Sequence, residues 1–168
     1  MIYAAKVASP LGSLTLASDG DALLGLWLAG QKYYMASLPQ PPVWDNAPAI
    51  FRAAESWLNR YFAGERPDPR ELALAPVGSE FRQAVWRRLL AIPYGEVTTY
   101  GAIAREMKKP AQAVGGAVGN NPISLIIPCH RVVGADGGLT GYAGGLDTKE
   151  KLLRLEGVAL TTEGRVKI

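Results

Sequence analysis

Short apolar stretches punctuated by turn residues open the chain. Ile2 to Val7, Leu14 to Ser18 and Leu23 to Leu28 each have the length of a strand, and Ser9-Pro10-Leu11-Gly12 and Asp19-Gly20-Asp21 separate them. Proline presets φ and glycine permits positive φ, so this pattern predicts an antiparallel meander. Pro39 to Pro42 interrupts regular structure. From Ala47 to Phe62 the period changes. Ile50, Ala54, Trp57, Leu58 and Tyr61 recur at spacings of three and four, which marks an amphipathic helix that Gly64 ends and whose apolar stripe covers the sheet. Gly64, Pro67, Pro69, Pro76 and Gly78 then surround only a short apolar segment, Leu72 to Leu74. This composition shift sets the expected domain boundary, with one unit over residues 1–78 and another over 79–168.

Beyond the boundary the pattern turns helical. Ser79 is placed to cap a helix running to Ala91, with Phe81, Val85 and Leu89 four apart, and Pro93-Tyr94-Gly95 stops it. A second helix starts near Thr99 and carries Ala102, Ile103 and Met107. Lys108-Lys109-Pro110 interrupts it, and a small-residue helix follows from Ala111 to Asn120. Two short helices joined by a tight connection predict a helix-turn-helix. After Asn121-Pro122 a buried-looking run, Ile123 and Leu125 to Ile127, delivers the polar tetrapeptide Pro128-Cys129-His130-Arg131. A glycine-rich loop from Gly134 to Gly145 leads to a last helix, with Asp147 and Glu150 read as its capping pair and Gly157 as its end. The expected fold class is α+β: a small N-terminal antiparallel sheet with a helix, then a mostly helical C-terminal domain.

Composition narrows the function classes. A chain of 168 residues with 48% hydrophobic and 20% charged residues has the balance of a globular protein rather than a disordered or fibrous one. No apolar run reaches the roughly 18 residues of a membrane span, and Met1 leads into the first strand without a basic-then-apolar leader, so a cytoplasmic protein with no membrane partner is expected. One cysteine and one histidine cannot fill a structural zinc site, and nothing calls for a metal or an organic cofactor. The net charge of +3 is unevenly placed: residues 1–78 carry six Lys/Arg against seven Asp/Glu, residues 79–168 twelve against eight. The second half is therefore the part suited to a polyanion.

Chemistry concentrates at Cys129. A thiolate is the best soft nucleophile among side chains, but at an unperturbed pKa of ~8.5 only about 3% is ionised at neutral pH, so a base is required, and His130 is adjacent. The segment IPCHRVVGADGGLTGYAGG resembles the active-site region of the O6-alkylguanine-DNA alkyltransferases, whose hallmark is Pro-Cys-His-Arg. The resemblance runs from about Phe81 to Gly157 through FRQAVWRRLLAIPYGEVTTYG, AVGGAVGNNP and KEKLLRLEG, and is looser over residues 1–78. It implies a ribonuclease-H-like N-terminal half. It also implies direct, irreversible transfer of an alkyl group from guanine O6, and from thymine O4 as a second lesion, to Cys129. By the same resemblance His130 is the implied base, acting through a bound water, with Glu156 implied to hold the imidazole, Asn121 to order the turn around the thiol, and Tyr100 to turn the phosphate and donate to the guanine ring. Val118, Tyr142, Ala143 and Gly144 are the implied pocket walls. Gln112, Ala113, Gly115 and Arg131 are the implied DNA contacts, with the recognition helix in the minor groove of double-stranded DNA and a monomeric protein acting on a flipped nucleotide.

One departure stands out. Most family members carry an arginine in the recognition helix that fills the space left by the flipped base; the corresponding position here is Gln112, in a stretch about two residues shorter. Two other functions share parts of the pattern: a lesion-binding module that does not react, and a cysteine hydrolase acting on small substrates. The number of alkyl groups taken up or turned over per molecule separates the three.

Overall fold

The three apolar stretches at the start of the chain form the predicted meander. In the computed structural model, which describes residues 1–168, β1 (Tyr3–Val7) pairs antiparallel with β2 (Leu14–Ser18), Tyr3 opposite Ser18 and Val7 opposite Leu14. β2 pairs antiparallel with β3 (Leu23–Leu28), with a bulge between Ala17 and Ser18. The sheet gains a fourth strand, β4 (Val43–Trp44), parallel to β1, so its order is β3-β2-β1-β4 and it is mixed rather than purely antiparallel. β4 has only two residues, both exposed, next to a proline pair, and so carries no hydrophobic period by which it could be read. Every residue of β2 and β3 is buried, and the continuous run LLGLWL reflects burial on both faces. Helix α1 (Ala49–Phe62) packs Ile50, Phe51, Ala54, Trp57, Leu58 and Tyr61 inward against β2 and β3. Each such aliphatic or aromatic side chain contributes roughly 1.5–3 kcal/mol on burial.

Compactness divides the chain into two units, Met1–Gly78 with Pro122–Ile126, and Ser79–Asn121 with Ile127–Ile168. The division falls at residue 78 but is not sequential, because the apolar run after Pro122 joins the first unit. Leu26 donates its N–H to Pro122 O, Ser124 N–H returns to Leu26 O, and Ile123 forms a parallel bridge with Leu26. The outer edge of β3 is thereby paired rather than exposed.

In the second unit α2 (Glu80–Leu90) begins at Ser79, whose hydroxyl accepts from Arg82 N–H, and Trp86 Nε1 on it donates to Ala117 O at 2.8 Å. β5 (Thr98–Thr99) leads into α3 (Tyr100–Met107), capped by the Thr99 hydroxyl. Lys108 ends α3 in the left-handed conformation (φ 54°), and α4 (Ala111–Gly119) starts after Pro110, completing the helix-turn-helix connection. β6 (Val132–Val133) pairs parallel with β5. The last helix, α5 (Leu146–Leu155), does not use the expected Asp147 cap. Gly145 holds the N-cap position with φ 97° and no side-chain cap, and Asp147 sits inside the first turn as a negative charge near the positive end of the helix dipole. Leu153 of α5 joins Val133, Leu160 and Val166 in one apolar cluster.

Candidate active site

Pro128 has no N–H to extend a helix, and the chain after it makes a single 3-10 turn, Cys129–Arg131, in which Val132 N–H returns to Cys129 O. Cys129 is 6% exposed, and its N–H donates to Ile127 O at 2.8 Å. The Asn121 amide donates to the same carbonyl at 2.8 Å and also hydrogen-bonds the thiol, so one side chain clasps both ends of the approach to the cysteine. Burial pushes the thiol pKa up, while the Asn121 hydrogen bond and the nearby positive charge of Lys149 pull it back. The resting cysteine is therefore a protonated thiol that needs a base.

His130 follows directly and is fully buried. Its Nε2 lies 2.6 Å from Glu156 Oε2, just past the end of α5, so the N–H is on Nε2 and the lone pair on Nδ1. Nδ1 has no hydrogen-bond partner among the protein atoms. Burial lowers the His130 pKa and Glu156 opposes that; the cations Arg131 and Lys149 add to the lowering and keep the imidazole neutral, as a base requires. Burial alone would raise the Glu156 carboxyl, but His130 and Arg131 outweigh it and hold the group far below the usual carboxylate range.

Arg131, expected to touch DNA, does not reach the surface. It is 7% exposed, and its Nε and Nη2 donate to Glu156 at 2.8 and 3.1 Å while Nη1 donates to Ile92 O at 2.7 Å. The ring of Tyr94 lies 5.7 Å from the guanidinium carbon. This bidentate pairing commits the Nε and Nη2 edge of the buried guanidinium to Glu156. Gly95 adds a fourth donor to the carboxylate, N to Oε1 at 3.2 Å; its φ of 80°, and a Cβ that would stand 3.0 Å from Glu156 O, explain the glycine there.

Tyr100 opens α3, and its hydroxyl donates to Thr140 O at 2.9 Å. Burial raises its pKa, so it remains a proton donor at neutral pH. The structure thus ties Cys129 to Asn121, and His130 to Glu156. Val118 and Tyr142 are buried, and Ala143 and Gly144 half-buried. On α4, Val114, Ala117 and Val118 face inward, whereas Ala111, Gln112, Ala113 and Gly116 are exposed and Gly115 is half-exposed. Lys149 was not anticipated. It is 0% exposed, donates to Val132 O at 2.6 Å and Thr140 O at 3.0 Å, and burial lowers its pKa to about 8. Its spacing to Leu152, Leu153 and Glu156 on the inward face of α5 was the available signal. No group of three His, Cys, Asp or Glu side chains is arranged to hold a metal ion, and no helix is long and apolar enough to cross a membrane.

A helix-turn-helix placed in one unit with a cysteine and a carboxylate-held histidine defines a DNA-binding protein with a nucleophilic thiol. The comparisons agree. Residues 80–158 match the DNA binding domain of 6-O-methylguanine DNA methyltransferase, and residues 2–76 match its ribonuclease-like domain. The methylated-DNA–protein-cysteine methyltransferases of Mycobacterium bovis and Methanosarcina acetivorans are each 46% identical, over 93% of this chain and 93% and 99% of theirs. The crystal structure of Mycobacterium tuberculosis OGT in complex with DNA superposes with a TM-score of 0.79 at 44% identity, covering 92% of both chains. The chain belongs to the 6-O-methylguanine DNA methyltransferase family.

Proposed function

We propose that the protein repairs alkylated DNA by moving the alkyl group of an O6-alkylguanine directly onto Cys129, once per molecule. The observation that carries this reading is the buried series Cys129, His130 and Glu156. One imidazole nitrogen is fixed on a carboxylate and the other is left as a lone pair, beside a thiol that burial keeps protonated. The thiol proton passes through a water to His130 Nδ1, the sulfur attacks the alkyl carbon, and the carbon–O6 bond breaks as the carbon–sulfur bond forms. Tyr100 supplies the proton or hydrogen bond that makes the guanine a better leaving group. Amides near Ala143 meet O6, with Val118, Tyr142 and Gly144 completing the walls. The product is a thioether, a poor leaving group, and the chain has no second cysteine to take the group away.

The exposed small-residue face of α4, with Gln112, Ala113 and Gly115, suits close approach to the minor groove of double-stranded DNA. A duplex stacks O6 inside, so the nucleotide is flipped, at a cost of a few kcal/mol. The protein acts as a monomer in the cytoplasm. Its second unit binds DNA and accepts the alkyl group, its first unit serves as scaffold, and thymine O4 is the secondary lesion.

Intact mass after incubation with a duplex containing O6-methylguanine tests this. Uptake of one methylene equivalent, ~14 Da, that saturates at one per molecule and vanishes in Cys129→Ser is the expected result. Lesion binding without uptake makes the protein a recognition module; repeated turnover makes it a hydrolase.

A further inference from the structure

A buried ammonium without a carboxylate beside it is costly, because hydrogen bonds to neutral acceptors replace its hydration only in part. Lys149 is such a group. Its Nζ is held by the Val132 and Thr140 carbonyls and lies 5.8 Å from the Tyr100 ring centroid, and none of the ion pairs in the protein includes it. Val132 closes the turn that begins at Cys129, and Thr140 O also accepts the Tyr100 hydroxyl. The ammonium is therefore docked between the backbone of the cysteine turn and the loop that holds the tyrosine. A neutral donor would satisfy both carbonyls; a cation is favoured only if negative charge arises in front of it.

The titratable groups around it are Cys129 and His130 in the turn that its Val132 contact closes and Tyr100 on α3, whose ring lies 5.8 Å away, with the mutually neutralising pair Arg131 and Glu156 beyond His130. His130 is neutral or positive, and Tyr100 stays protonated. Only the thiol can supply an anion.

We propose that Lys149 is a positioning residue for the alkyl transfer, a fixed buried counter-charge that is docked on the Val132 and Thr140 carbonyls and stabilises the Cys129 thiolate as it forms on loss of its proton to His130. The proposal rests on Cys129 being the acceptor. The docking on the cysteine turn puts the two charges in one buried site, where their attraction lowers the thiol pKa and raises that of the lysine against the burial that depresses it. A second consequence follows at Thr140. Lys149 shares that carbonyl with Tyr100, which weakens the carbonyl's hold on the phenol proton and eases its turn toward the base.

The test uses the full chain. Lys149→Gln keeps an N–H donor for the carbonyls but removes the charge, and Lys149→Arg keeps the charge. The pH dependence of Cys129 alkylation by iodoacetamide, read by intact mass, gives the apparent thiol pKa. The expected result is a rise of about one unit in Lys149→Gln, about tenfold slower alkylation at neutral pH, with Lys149→Arg near wild type. An unchanged profile in Lys149→Gln overturns the proposal. If either lysine variant fails to fold, linkage supplies the reciprocal measurement. In protein carrying 13C-labelled lysine, Lys149 should titrate at lower pH in Cys129→Ser than in wild type, and equal midpoints overturn the proposal. Methyl uptake from the O6-methylguanine duplex is followed in parallel. Coupled titrations without uptake support the thiol–lysine pairing and remove the repair function, whereas uptake with uncoupled titrations removes only the role of Lys149.

Discussion

Replacing Glu156 with alanine perturbs more than the histidine it holds. Its two oxygens accept from His130 Nε2 at 2.6 Å, Arg131 Nε and Nη2 at 2.8 and 3.1 Å, and Gly95 N at 3.2 Å. In Glu156→Ala the Arg131 guanidinium, 9% exposed, keeps only the Ile92 carbonyl and the face of Tyr94. An uncompensated buried charge of this kind costs about 3–5 kcal/mol. Glu156→Gln preserves shape and some hydrogen bonds but loses their ionic part, and a loss of about 2 kcal/mol is expected. The sign of the pH dependence follows from the depressed Glu156 pKa. Its contribution is fully present above the unfolded carboxylate value of about 4.3 and is lost as pH falls below that toward the folded value, so the gap between wild type and Glu156→Gln narrows below about pH 4. His130 acts over a different window. Its folded pKa is lowered, so below about 6.5 the unfolded chain binds a proton that the folded one does not, and stability falls as pH falls. Urea unfolding followed by tryptophan fluorescence at a series of pH values measures both effects. A Glu156→Ala protein within about 1 kcal/mol of wild type at neutral pH would refute the reasoning, because no other acceptor in the structure replaces the carboxylate.

Three further outcomes are expected. Gln112→Arg places a cation on the exposed face of α4 without touching Cys129. Iodoacetamide reactivity should stay unchanged while duplex binding strengthens and the slope of log affinity against log salt steepens by about 0.9; identical binding curves at two salt concentrations would exclude any DNA contact at this position. Tyr100→Phe removes the hydroxyl now held by Thr140 O and should slow methyl uptake from DNA by about 10²-fold, with alkylation of the thiol by iodoacetamide little altered. Gly137→Ala forces a Cβ to within 2.2 Å of Val166 O at a φ of 82°, and thermal unfolding should show a loss of more than about 1 kcal/mol.

Local pattern carried the elements well. β2 and β3 lie where turn residues and apolar runs put them, and Ser79 and Thr99 cap the helices they precede. What the chain does locally is set by φ preferences and by the supply of side-chain oxygens for orphan N–H groups, both visible one residue at a time. β4 escaped because two exposed residues carry no period, and the Asp147 cap failed because Gly145 starts α5 two residues earlier. The motif around Cys129 marked the nucleophile and its neighbours, and the structure joins His130 to Glu156 across 26 positions of chain.

Arg131 and Lys149 mark where the sequence stops. Arg131 was expected at the DNA and Lys149 had no expected role; both prove buried, one paired with Glu156 and the other docked on two backbone carbonyls between the cysteine turn and the tyrosine loop. Sequence by itself determined the first three strands, the main helices, the family and the cysteine of the motif, because these depend on residue type and short spacing. Tertiary structure alone decided which charges face water and which face each other. Burial and Coulomb interaction depend on distances between elements far apart in the chain, and those distances set the neutral state of the His130 imidazole and the protonated state of the Cys129 thiol.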